Sequence, residues 1–171
     1  SGVAPLEIAS AYSVIANLGI YNEPYLIQQI EDFQGNRLYE HFYQGVQQFS
    51  PDTLYPLLDM MQGVVDRGTG RIIRRMGFKH PAAGKTGTTN DFKDAWFNGF
   101  TKDISASVWV GFDDNASMIT KPGIGLTGAS AAAPIWVHFM QKALAGKTKV
   151  KFPVPENIKF TTIDVETGRL P

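Results

Sequence analysis

Gly84-Lys85-Thr86-Gly87-Thr88-Thr89-Asn90-Asp91-Phe92-Lys93-Asp94-Ala95-Trp96-Phe97 is the stretch whose reading decides this chain. A lysine, three hydroxyls and two glycines stand side by side, and aromatic residues follow. Gly84-Lys85-Thr86 invites comparison with a phosphate-binding loop. That loop needs a glycine five residues earlier, where Lys79 stands, and a helix after the threonine. Gly87, Thr88 and Thr89 are poor helix formers, so a strand is the better reading. Side chains alternate along a strand. Lys85 and Gly87 then share one face, and Thr86 and Thr88 the other. Side-chain-free Gly84 and Gly87 let a backbone or ligand come close. Such an edge can hold an anionic substrate, but it carries no nucleophile.

Outward from this stretch, strands are expected over Ala82–Thr89, Ala95–Thr101 and Ile104–Phe112. The links between them are short, which implies antiparallel pairing. The last strand alternates Ile104, Ala106, Val108 and Val110 with Ser105, Ser107, Trp109 and Gly111, and Asp113-Asp114-Asn115 closes it. Upstream, helical spacing of Ile8, Ala11, Tyr12, Ile15 and Leu18 predicts a helix over 5–18, with Pro5 in its first turn and Gly19 at its cap. A hairpin follows, with Tyr25–Phe33 and Arg37–Tyr39 flanking the turn Gln34-Gly35-Asn36. Ser50-Pro51-Asp52 opens a second helix with a stripe of Leu54, Leu57, Leu58, Met61, Val64 and Val65. Pro56 is expected to kink or delay it, and Gly68-Thr69-Gly70 to stop it. Arg71, Arg74 and Arg75 read as a solvated basic face.

Downstream, a long loop with Gly123, Gly125 and Gly128 leads to a helix over about 131–145, with Pro134 in its first turn. Residues 147–151 read as a linker or extended edge, Ile158–Asp164 as a strand, and Glu166-Thr167-Gly168 as a turn. A hairpin partner is expected where Pro171 stands, so a truncation is expected there. Two units are expected: 1–146, and a linker and edge-strand segment over 147–171.

Composition narrows the classes. A chain of 171 residues that is 43% hydrophobic has enough apolar material for one core. Sixteen basic residues balance sixteen acidic ones, which argues against nucleic acid as a partner. With no cysteine, disulfide scaffolds and Cys-ligated metals are excluded. His41, His80 and His138 lie far apart without ligand spacing, and no metal or other cofactor is expected. Asp91 and Asp94 bracket Lys93 and are read as ordering a loop rather than as an acid–base pair. Trp96, Trp109 and Trp136 are read as core, with Trp96 close enough to the Lys-Thr-Gly stretch to line a cleft.

Gly84–Gly99 resembles the third active-site motif of penicillin-binding proteins together with the strand that follows it, in the form found in the bifunctional, class A members. The resemblance covers nearly the whole chain. It includes Ala4–Tyr12, Ile30-Glu31-Asp32, Gly63-Val64-Val65, Gly68-Thr69-Gly70-Arg71, Val108–Gly111 and Ala133–Trp136. Ala4 departs from it, since relatives often carry a helix-capping serine there; a lost cap costs about 1 kcal/mol. The resemblance implies a mixed α+β transpeptidase fold, an antiparallel sheet flanked by helices and incomplete in this chain. It also implies a D,D-transpeptidase that attacks the D-alanyl-D-alanine end of peptidoglycan stem peptides through a serine and is acylated by β-lactams.

That chemistry needs a serine with an adjacent base, which the family supplies as Ser-x-x-Lys and Ser-x-Asn. None of the serines at 1, 10, 13, 50, 105, 107, 117 and 130 has a lysine three residues on or an asparagine two on. The resemblance therefore places the nucleophile on a missing N-terminal part of the same domain, which is the expected partner of this chain. It implies that Lys85 sets proton and charge balance beside the serine. Thr86, Thr88 and neighbouring Thr89 bind substrate, Gly87 keeps the edge open, and the Thr88 N–H forms half an oxyanion hole. The implied parent is anchored in the bacterial cytoplasmic membrane, with its catalytic domains outside the cytoplasm. A non-catalytic binding module and a serine β-lactamase-like protein are the alternatives.

Overall fold

A computed structural model describes residues 2–170. Helix α1 (Pro5–Ala16) starts without a side-chain cap at Ala4; the Glu7 carboxylate instead accepts the Ala4 N–H at 2.7 Å. It ends two residues sooner than the apolar spacing predicts. Leu18 and Gly19 turn into the left-handed region (φ 50° and 101°), and the Gly19 N–H closes the end on the Val14 carbonyl at 2.8 Å. Strands β1 (Ile20–Tyr21), β2 (Gln29–Glu31), β3 (Arg37–Glu40) and β4 (Val46–Gln47) form two small antiparallel pairs, β1 with β4 and β2 with β3. The expected hairpin is the β2–β3 pair, shorter than predicted. Asp32 Oδ1 accepts the N–H groups of Gln34 and Asn36 across its turn.

Helix α2 (Pro51–Asp66) begins at the Ser50 cap, whose hydroxyl accepts the Thr53 N–H at 3.2 Å. It runs through Pro56 without interruption, so the expected delay of its start does not occur. Pro56 sits in the second turn and forfeits one intrahelical bond. Burial of Leu54, Tyr55, Leu58, Met61 and Val65 on the same helix offsets that loss. In α3 (Ile72–Arg75), Arg74 does not lie on a solvated face as predicted. Its guanidinium pairs with Asp66 at 2.7 Å and donates to the carbonyls of Phe78 and His80.

The central sheet is the predicted one: β5 (Ala83–Thr88), β6 (Asp94–Phe100) and β7 (Ser105–Gly111), antiparallel in the order β5-β6-β7. Its two faces carry separate cores. On one, Phe97 packs with Val65, Ile73, Phe78 and Trp136, and the partly buried Ala106, Val108 and Val110 join them. On the other, Ala83 and Phe100 pack with Leu58, Met61 and Phe152, flanked by Tyr12 and Ile15 of α1. Helices therefore cover both faces, as a sheet with two apolar faces requires.

The expected long loop holds a short hairpin, β8 (Ile119–Lys121) and β9 (Ile124–Gly125), turning at Gly123 (φ 76°). A π-turn, Gly128–Ala132, then feeds α4 (Ala133–Ala143), and Pro134 stands in the first turn of that helix. The strand expected over Ile158–Asp164 does not form; residues 147–170 contain no helix or strand. The segment is held by side chains instead. Phe152 is buried in the second core, Asn157 donates to Asp52 at 2.9 Å, and Asp164 closes a turn with Thr167 and Arg169. Among the described residues no helix is long and apolar enough to cross a membrane.

Candidate active site

Strand β5 is an edge strand, and its register fixes which backbone groups face outward. Just beyond it the Thr89 N–H donates to the Asp94 carbonyl at 3.1 Å, directly across from it. In an antiparallel ladder bonded and non-bonded pairs alternate. Gly87–Trp96 and Lys85–Asn98 are therefore bonded pairs, while Thr86 and Thr88, opposite Phe97 and Ala95, turn their N–H and C=O groups away from β6. The Lys85 ammonium marks this open side, donating to the Thr86 carbonyl at 2.7 Å. Lys85 and Thr88 are exposed and Thr86 is half-buried.

The side chains alternate as the sequence predicts. Lys85 shares a face with Gly87, Trp96 and Asn98, and Thr86 and Thr88 point to the other face. Two contacts there were not legible. The Thr86 hydroxyl lies 2.8 Å from that of Thr69, on the loop after α2. The Thr88 hydroxyl accepts the Gly128 N–H at 3.0 Å, which ties the π-turn to the strand. Gly128 is pressed so close that an added Cβ would stand 2.2 Å from the Trp96 carbonyl oxygen and 2.5 Å from that of Gly87. Gly87 leaves only enough room for the Trp96 side chain, 3.1 Å from where its own Cβ would be.

Thr89 lies one residue past the strand and serves the bend. Its hydroxyl accepts the Asp94 N–H at 2.8 Å and donates to the Asp94 carboxylate at 3.0 Å. Asp94 also accepts the Trp109 indole N–H at 2.8 Å, so it orders the loop as read from the sequence. Asp91 and Phe92 take positive φ (59° and 54°) in the same bend. Of the three tryptophans only Trp136 is fully buried, its indole N–H on the Gly99 carbonyl at 3.2 Å. Trp109 is 37% exposed and is not core. Trp96 and Trp109 line a groove of about 450 Å³ with Thr89, Asp94 and Pro5. A groove of about 590 Å³ lies against α1, lined by Leu6, Val14, Tyr21 and Phe49, and Lys85 takes no part in it. Among the described residues no three His, Asp or Glu side chains gather as for a metal ion.

Helices on both faces of a three-stranded antiparallel sheet, with Lys85 exposed on its edge strand, make a mixed α/β architecture. Residues 1–141 match the penicillin binding protein transpeptidase domain, and the chain belongs to that family. Penicillin-binding protein 1A of Aquifex aeolicus is 39% identical over 158 residues, covering 91% of this chain and 21% of that protein. The same protein of Pseudomonas aeruginosa is 35% identical over 218 residues, covering 98% and 26%. This chain thus spans from 21% to 26% of the length of these relatives. Penicillin-Binding Protein 1A from Haemophilus influenzae superimposes with a TM-score of 0.88 at 28% identity, over 99% of this chain and 30% of that one. PonA1 from Mycobacterium tuberculosis, solved in complex with penicillin V, gives 0.74 at 28% identity, over 90% and 42%.

Proposed function

We propose that this chain supplies the donor-holding wall of a peptidoglycan D,D-transpeptidase that works through a serine acyl-enzyme and is acylated by β-lactams. The observation that carries this reading is the open edge of β5, with the Thr86 and Thr88 amides turned outward beside the Lys85 ammonium. A peptide lying along that edge gains main-chain hydrogen bonds, as in other strand additions. The outward Thr88 N–H is placed to receive a developing oxyanion, and loss of one such donor costs about 10²–10³ in rate. The Lys85 ammonium attracts the substrate carboxylate and tunes proton transfer at the serine. Thr86, Gly87, Thr88 and Thr89 contact the donor, and Trp96 lines the cleft.

The nucleophile is assigned to a segment outside this sequence, because no serine here has the Ser-x-x-Lys or Ser-x-Asn spacing. Residues 1–146 then form part of the catalytic domain and 147–171 a following segment. The full-length protein is placed at the cytoplasmic membrane with its catalytic domains outside the cytoplasm. The same serine pattern favours a second reading, a non-catalytic binding module. Fluorescent penicillin decides: the full-length protein should take a covalent label and the 171-residue chain none. A label on the chain alone overturns the assignment of the nucleophile, and no label on the full-length protein leaves the binding module.

A further inference from the structure

A further groove, of about 350 Å³, is lined by Thr69, Arg71, Arg75, Thr127 and Ser130. It adjoins the face of β5 that carries Thr86 and Thr88. Thr69 bonds to Thr86, and Gly128, next to Thr127, bonds to Thr88. Groove wall and edge strand are therefore fastened together.

Its charge is unbalanced. Arg71 and Arg75 are exposed and four residues apart, a spacing at which like charges on a helical turn repel. The ion pairs among the described residues are Arg37–Glu40 and Arg74–Asp66, so neither groove arginine has an acidic partner. Arg74 shows the contrast, being turned inward onto Asp66 and two carbonyls. No acidic side chain lines the groove. The Thr69 hydroxyl is already bonded to that of Thr86, and the Thr127 and Ser130 hydroxyls to each other's residues, which leaves the two guanidinium groups as the free donors. Guanidinium matches a planar carboxylate through paired N–H donors.

We propose that Arg71 and Arg75 form a carboxylate subsite that holds a side-chain carboxylate of the stem peptide lying along β5. This rests on the reading of β5 as the strand that holds a peptide. The adjacency to β5 favours a peptide carboxylate over a phosphate group.

The test uses the full-length protein and two synthetic stem peptides identical except that the side-chain carboxylate is free in one and a carboxamide in the other. Wild type should bind the free acid about ten-fold more tightly by calorimetry, as one added charge-assisted contact gives. In the Arg71→Gln/Arg75→Gln double variant the ratio should fall to about one, with an unchanged melting transition. A ratio near one in wild type, or an undiminished ratio in the variant, overturns the subsite. So does inorganic phosphate binding more tightly than the free-acid peptide. A full-length protein that keeps the ratio but takes no penicillin label loses the transpeptidase reading and retains the subsite. One that labels but shows no ratio loses the subsite alone.

Discussion

The hydroxyl oxygens of Thr69 and Thr86 lie 2.8 Å apart, which fastens the loop after α2 to the edge strand of the candidate site. Thr86 is half-buried, and this bond holds its hydroxyl in place. Thr69→Ala should lower stability by about 1 kcal/mol, the net worth of one such hydrogen bond. A thermal melt measures it. The same variant should slow β-lactam acylation of the full-length protein, because Thr86 then loses its orientation. An unchanged melt and rate would make the contact incidental.

Gly128 allows the π-turn to lie flat on β5 and β6. A Cβ there meets backbone oxygens at 2.2 and 2.5 Å, which cannot move without disturbing the sheet. Gly128→Ala should destabilise by about 1–3 kcal/mol through overpacking. Gly123→Ala is the control, since its Cβ meets nothing within 4 Å and its cost comes only from a φ of 76°. That cost is about 1–2 kcal/mol. Equal rates of hydrogen exchange across β5 in both variants would refute the close approach.

The segment after α4 carries a third test. Phe152 is 6% exposed and meets Phe100 edge-on, with ring centroids 5.6 Å apart. Phe152→Ala should cost about 3–5 kcal/mol, as buried Phe truncations do. A detached linker would show no change in the melt.

The β2–β3 turn should respond to acid. The Asp32 carboxyl is held below its ordinary range, chiefly by the Asn36 side-chain amide and then by the Asn36 N–H. A carboxyl depressed in the folded state contributes stability above its unfolded pKa and loses it as pH falls through the folded value. The turn should therefore be tightest above about pH 4 and loosen progressively below it. A loss of protection of the Gln34 and Asn36 amides on acidification, relative to their intrinsic exchange at each pH, would show this. Asp32→Asn should remove the pH dependence, and its persistence in that variant would assign the effect elsewhere.

Local pattern made the central sheet, the two main helices and the face alternation of Lys85 and Thr86 legible. Period-two alternation and short links leave few other pairings for three such strands. What failed had causes outside the local window. Pro56 reads as a breaker until the burial of Leu58 and Met61 beside it is known. Ile158–Asp164 has a strand composition but no partner strand to pair with. Within the candidate site, Lys85 to Thr89 stood out by composition and by the family resemblance. The bonds of Thr69 and Gly128 did not, because their partners lie 17 and 40 residues away and neither residue is chemically unusual. Gly68-Thr69-Gly70 read as a helix stop and as part of the family resemblance, and neither reading points to a bond between Thr69 and Thr86.

The central claim is that the β5 edge with Lys85 forms one wall of the acylation site. Its most direct test is the rate of covalent labelling by fluorescent penicillin in the full-length protein, wild type against Lys85→Ala. Lys85 is exposed, so the variant should keep its melting transition. Its labelling should slow by about 10²-fold or more, the scale of losing a group that assists proton transfer. Labelling at the wild-type rate by a folded Lys85→Ala protein would contradict the account.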